Sequence, residues 1–236
     1  STVGAAILTA MTATNAAAIL TASSSTFAAA ILAAATPTAA AAMVTVAAPA
    51  AASAMLAAGA AGAAANILTA IVAPQTATAA KAAANIMQQM PAASLNNIID
   101  KTKGAMPEAA LKRTLPELSA GKLYSLSPAV LFAALPSVPT EQLVGELPPT
   151  PPPDLVAPVA KVITATQVQY LAIKSRSGEW VFIIHSPAPL TGVLIQTNKE
   201  LANVTTTVDD LAVNPEAPLN PQGEQLAASA IYFKIS

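Results

Sequence analysis

A pair of adjacent apolar residues recurs every twelve positions: Ile7-Leu8, Ile19-Leu20, Ile31-Leu32, Met43-Val44, Met55-Leu56 and Ile67-Leu68. No other feature of the chain narrows its fold as far. A period this regular means one supersecondary unit repeated in tandem. A unit this short can bury its apolar side only against its neighbours. After a longer gap the spacing returns once, at Ile86-Met87 and Ile98-Ile99.

Each unit runs approximately Ala-Ala-Ala-Ile-Leu-Thr-Ala and then meets a breaker. In the second unit Ala16, Ile19, Leu20 and Ser23 stand at i, i+3, i+4 and i+7, which is one stripe of a helix. Thr36-Pro37 offers an N-cap followed by Pro at the first helical position, Pro49 comes twelve residues later, and Ser127-Pro128 repeats the device. The pattern predicts short helices of about eight residues separated by tight turns. Six such helices are expected over residues 1–72, with all six apolar pairs pointing into one continuous core.

The same region carries no charged side chain until Lys81. Ordinary chains carry roughly 25% charged residues, so eighty positions with none need an explanation. The segment lies in a membrane, or it is covered in an assembly or by glycans, or Ala and Thr stand in the sequence for larger side chains. A membrane span needs about 20 apolar residues in one helix, and breaks every twelve residues argue against it. A net charge of -1 sets up no field that would recruit nucleic acid. The absence of Cys excludes a disulfide scaffold, a thiol nucleophile and Cys-ligated zinc. There is no Gly-rich phosphate loop. No catalytic residue, cofactor or metal is expected, and neither nucleic acid nor a small-molecule substrate is expected as a partner.

Residues 100 to 147 continue the theme with ordinary charges, in pieces such as "PEAALKRTL" and "PTEQLVGEL" set between prolines. The first 146 residues thus resemble the short-helix superhelical repeats of the cytosolic domain of MgtE-type magnesium transporters and of flagellar-motor proteins. The resemblance implies a helical solenoid over residues 1–146. It implies no magnesium sensing, because the acidic residues usual between those repeats are missing from the first eighty positions.

Leu147 to Pro158, "LPPTPPPDLVAP", holds six prolines and reads as a stiff linker. A β-rich domain is expected over 159–236, with strands at Val162–Ile173, Glu179–His185, Gly192–Thr197, Asn203–Val208 and Ala230–Ile235. Ser177-Gly178 would turn the first hairpin. Five strands in so short a stretch suggest a small β-sandwich, giving an α+β multidomain chain. The run "VLIQTNKELANVTTTVDDL", Pro215-Glu216 and the closing "IYFKIS" resemble the PGF-pre-PGF domain of archaeal surface proteins. That resemblance covers residues 186 to 236, with 162–185 as its opening. It implies an extracellular or cell-surface protein.

Several residues invite a functional reading. His185 beside Ser186 suggests a base and nucleophile, but neighbours on a strand point to opposite faces. Asp209-Asp210 lacks the further oxygen ligands of a calcium loop. Lys101, Lys103, Lys112 and Arg113 have no aromatics beside them for stacking on bases. Trp180, Tyr170, Tyr232 and Phe233 read as β-domain core. Asn203-Val204-Thr205 is an N-glycosylation sequon, so Asn203 is the candidate modification site. The reading is a non-enzymatic structural subunit of an archaeal surface layer, sheath or filament, acting by self-association into a homo-oligomer or polymer. An adhesin with a concave binding face and a membrane-embedded helical protein are the alternatives.

Overall fold

The computed structural model describes residues 2–135, 169–178, 180–185, 206–208, 211–213 and 230–235. The chain divides into two compact units, residues 1–118 and 119–236.

Eight helices lead the first unit: α1 (Thr2–Ala10), α2 (Ala13–Ala22), α3 (Ser25–Ala34), α4 (Pro37–Val46), α5 (Pro49–Ala57), α6 (Ala61–Val72), α7 (Ala77–Gln89) and α8 (Ala92–Ile99). From α2 to α6 the starts fall twelve residues apart. The breakers act as the sequence suggests. Thr12, Ser24 and Thr36 hold extended backbone, and their hydroxyls accept the N–H of Asn15, Phe27 and Ala39 at 3.4, 3.3 and 3.3 Å. Pro37 and Pro49 take the first helical positions, where no N–H is needed. Helices of eight to thirteen residues hardly form alone in water, so packing must hold them.

That packing alternates. Each helix rests on the one two places along: α1 on α3, α3 on α5 and α5 on α7 in one layer, α2 on α4, α4 on α6 and α6 on α8 in the other. The physical repeat is therefore a pair of helices, one from each layer. Two kinds of position make the stack. Ala16, Ala28, Ala40 and Ala52 are fully buried, at 0% exposure, and their small side chains allow close helix approach. The second member of every apolar pair, Leu8, Leu20, Leu32, Val44, Leu56 and Leu68, is buried. Each such side chain contributes roughly 1.5–3 kcal/mol by leaving water.

The first members behave differently, and here the expectation of six inward pairs fails. Ile31 points back to the helix two places earlier, so that a Cβ on Gly4 would lie 3.4 Å from its Cδ1. Ile31, Met43, Met55 and Ile67 all have such a helix and are buried. Ile7 and Ile19 have none among the described residues, and are 58% and 45% exposed.

The period slips after α6. Gln75 turns the chain with φ 60° and is held from α9 (Glu108–Thr114), where Arg113 donates to its backbone oxygen at 3.0 Å and to its Oε1 at 2.9 Å. After α8 the Asp100 carbonyl accepts N–H groups from Lys103, Gly104 and Ala105. Gly104 is required there, because a Cβ would fall on the Ile98 carbonyl oxygen. A 3-10 turn, Leu115–Glu117, ends the unit.

The second unit begins with α10 (Ala120–Tyr124) and α11 (Pro128–Ala134). Five strands are described: β1 (Gln169–Lys174), β2 (Trp180–His185), β3 (Thr206–Val208), β4 (Leu211–Val213) and β5 (Ala230–Ile235). β1, β2 and β5 form an antiparallel sheet in that order, with Lys174 opposite Trp180 and Phe182 opposite Phe233. The β1–β2 turn falls at Ser175–Gly178, with Gly178 at φ 87° donating its N–H to the Ser175 carbonyl at 2.9 Å. β3 and β4 form a separate two-stranded ladder, and α10 and α11 lie against β2.

The expected α+β architecture with a C-terminal β-sandwich is therefore corrected. The described residues are dominated by helix, and no β-sandwich is present among them. A sandwich needs two sheets with interleaved inner faces. Here there is one three-stranded sheet and a ladder of three-residue strands, while two helices lie against the central strand. The expected strand at Gly192–Thr197 and the linker at 147–158 lie outside the described residues.

Candidate interaction surface

The residues singled out for chemistry do not converge. His185 ends β2, with Gln169 and Ala230 as its register partners, while Ser186, Asp209, Asp210 and Asn203 lie outside the described residues. Three of the four basic residues are engaged by neighbours. Lys112 pairs with Glu108 at 2.6 Å, Lys103 donates to Asn97 Oδ1 at 2.9 Å, and Arg113 clamps the Gln75 loop. Asp100 accepts the Thr102 hydroxyl at 2.7 Å and its N–H at 2.8 Å. Those bonds hold its carboxyl below the usual carboxylate range, with Lys103 adding to the effect. Burial pulls the Lys122 ammonium down from its ordinary value. No group of three or more His, Cys, Asp or Glu that would hold a metal occurs among the described residues. Trp180, Tyr170, Tyr232 and Phe233 all fall on the three-stranded sheet. Between α3, α5 and α6 lies a small, half-open apolar pocket, lined by residues such as Leu32, Met55 and Ile67.

What the first unit does present is surface. α1 carries Val3 and Ile7 at i and i+4, on one side of the helix, at 75% and 58% exposure, and Met11, just past the end of α1, is 36% exposed. Ile19 of α2 stands at the position that the buried Ile31 holds twelve residues later, and is itself exposed. Elsewhere Phe27 and Val46 are also exposed. Threonines add to the apolar character. Thr9, Thr45 and Thr69 turn their hydroxyls back onto the carbonyls of Ala5, Ala41 and Ala65 at 2.7, 2.6 and 2.7 Å. Those hydroxyls are satisfied internally.

The sequence held the signal for this surface. Val3, Ile7 and Met11 can be read at helical spacing, but reading every apolar pair as core concealed it. Only the stacking direction shows that first members face backward. No helix among the described residues is long and apolar enough to cross a membrane. No protein family, no curated protein and no solved structure matches this chain.

Proposed function

We propose that this chain is a structural, non-enzymatic subunit that works by self-association. One observation carries the reading: a six-helix array without a charged side chain through residue 80, whose first helix exposes Val3 and Ile7. Charge of one sign normally keeps copies of a protein apart in solution. The array has none, and its Thr hydroxyls are partly turned inward. The charged residues that follow make local contacts, as Arg113 and Lys112 do, rather than gathering around a cleft.

Light scattering on the full chain across a dilution series tests this. The proposal expects mass to rise with concentration above the 23.5 kDa of one chain. A monomer at every concentration overturns it. Placement on an archaeal cell surface is the narrower part of the proposal and rests on the resemblance of residues 186–236. It expects protein isolated from its native source to carry a glycan on Asn203. An unmodified peptide spanning Asn203 counts against it.

A further inference from the structure

We infer that a second copy of this chain docks on the outer face of α3 and α5, with the Phe27 ring of each copy set against the apolar pocket of the other. The inference rests on the self-association proposed above and names its site.

The two layers of the array differ on their outer faces. The layer of α2, α4 and α6 exposes polar groups there, among them Thr14, Asn15, Thr38 and Asn66. In the other layer, α3 exposes Phe27, Ala30 and Ala34 at i, i+3 and i+7, and α5 exposes Ala50 and Ala54 at i and i+4. Thr26 is the one exposed polar side chain on these two helices. Both helices lie inside their layer, α3 resting on α1 and α5, and α5 on α3 and α7, so this face is lateral to the stacking direction. Phe27, in the first turn of α3, is 55% exposed, although an aromatic ring has more area to gain by burial than any other side chain here. The pocket lies toward the other end of the same helix, where Leu32 and Ala33 meet Met55 of α5 and the Gly59-Ala60 turn, and no polar side chain lines it. One helix pair earlier the places of Ala33, Gly59 and Ala60 are held by Thr9, Ala35 and Thr36, all larger, so the hollow is particular to this pair. A projecting ring and an apolar hollow at opposite ends of one helix are complementary to themselves under a two-fold axis. With the axis beside Ala30, each ring meets the other copy's hollow, and the small alanines between them let the helices approach closely. Charge points the same way. A partner with a charged face would lose hydration on docking and gain no ion pair, since no charged side chain occurs within residues 1–80. A second copy brings an equally neutral face and no like-charge repulsion.

The test is Phe27→Ala and Ala30→Glu, each in the full chain, followed by light scattering across a dilution series. Loss of a central aromatic anchor is expected to weaken dimer affinity at least about 30-fold. Ala30→Glu brings two carboxylates together beside the axis and is expected to weaken it at least as far. Ala42→Glu is the matched control, since Ala42 is exposed at the same place one repeat later, on α4 in the other layer, and it should leave association unchanged. If F27A and A30E associate as the unaltered chain does, this face is not the interface, though self-association stands. If A42E weakens association as much as A30E, added charge and not this face is responsible, and the proposal is overturned. If the unaltered chain is monomeric throughout, both inferences fail. Should A30E lose helicity, Ala30→Cys serves instead, because the chain has no other thiol. Two such thiols beside the axis should join the copies by a disulfide under mild oxidation, while Ala42→Cys stays a single chain. Equal cross-linking of the two variants overturns the proposal, and so does no cross-linking at position 30, the result expected if a different protein covers this face.

Discussion

Replacing Ala40 by Leu probes the stacking directly. Ala40 sits on α4 with 0% exposure, where α4 meets its even-layer neighbours α2 and α6. Leu brings three further carbons to a position with no exposure to solvent. The apolar pocket lined by Leu32, Met55 and Ile67 is not lined by Ala40, so it gives the added group no room. The helices must separate, or the side chain must leave its preferred rotamer. Overpacking of this kind costs about 1–3 kcal/mol. Ala42, two residues on in the same helix, is exposed. Leu and Ala are both good helix formers, so Ala42→Leu should change stability by less than about 0.5 kcal/mol. Urea unfolding followed by circular dichroism would measure both. Equal effects of the two substitutions would refute the idea that close Ala contacts set the stack, and so would a stabilised Ala40→Leu.

Other outcomes follow from single contacts. Ala48 precedes α5 with backbone close to that of Thr36 before α4, yet makes no side-chain cap. Ala48→Ser should therefore stabilise by about 1 kcal/mol, and Thr36→Ala should cost a similar amount, both read by urea titration. A Cβ on Gly104 meets the Ile98 carbonyl, so Gly104→Ala should lower stability by about 3 kcal/mol in the same assay. Asp100 has its folded pKa depressed, chiefly by the Thr102 hydroxyl. Its contribution is thus present above the unfolded-state pKa and fades as pH falls through the lower folded value. Thr102→Ala should flatten that acid-side dependence of thermal stability, and an unchanged pH profile would count against the assignment.

Much of the first unit is legible in the sequence, because local chemistry and tertiary packing agree there. Thr36-Pro37 and Pro49 mark helix starts by capping and by a missing donor, and neither effect depends on the rest of the fold. The layering is not legible in the same way. A period of twelve describes both a single file of helices and two alternating layers, and only contacts such as Ile31 with α1 decide between them. Nor does the period show which pair members have a helix to rest on among the described residues, which is why Ile7 and Ile19 read as core. The loop at Gln75 depends on Arg113, thirty-eight residues away in sequence, beyond the reach of any local pattern. In the second unit, alternation points to strands at 162–173, 179–185, 203–208 and 230–235, and the described strands at 169–174, 180–185, 206–208 and 230–235 overlap those stretches. It says nothing of which strands pair or what covers them, so inferring a sandwich from strand number failed. Helices α10 and α11 against β2 were part of that answer.

The most direct test of the two-layer repeat is to delete one full pair of helices, residues 25–48. Ser24 would then precede Pro49, recreating the Thr36-Pro37 start, and Met55 would face Gly4 as Ile31 now does. Layer order is preserved, because two units are removed together. The shortened chain is expected to keep its helical content per residue by circular dichroism and to unfold cooperatively at a somewhat lower midpoint, as nearest-neighbour stacking requires. Loss of helicity across the remaining repeats, or unfolding without a cooperative transition, would contradict the account.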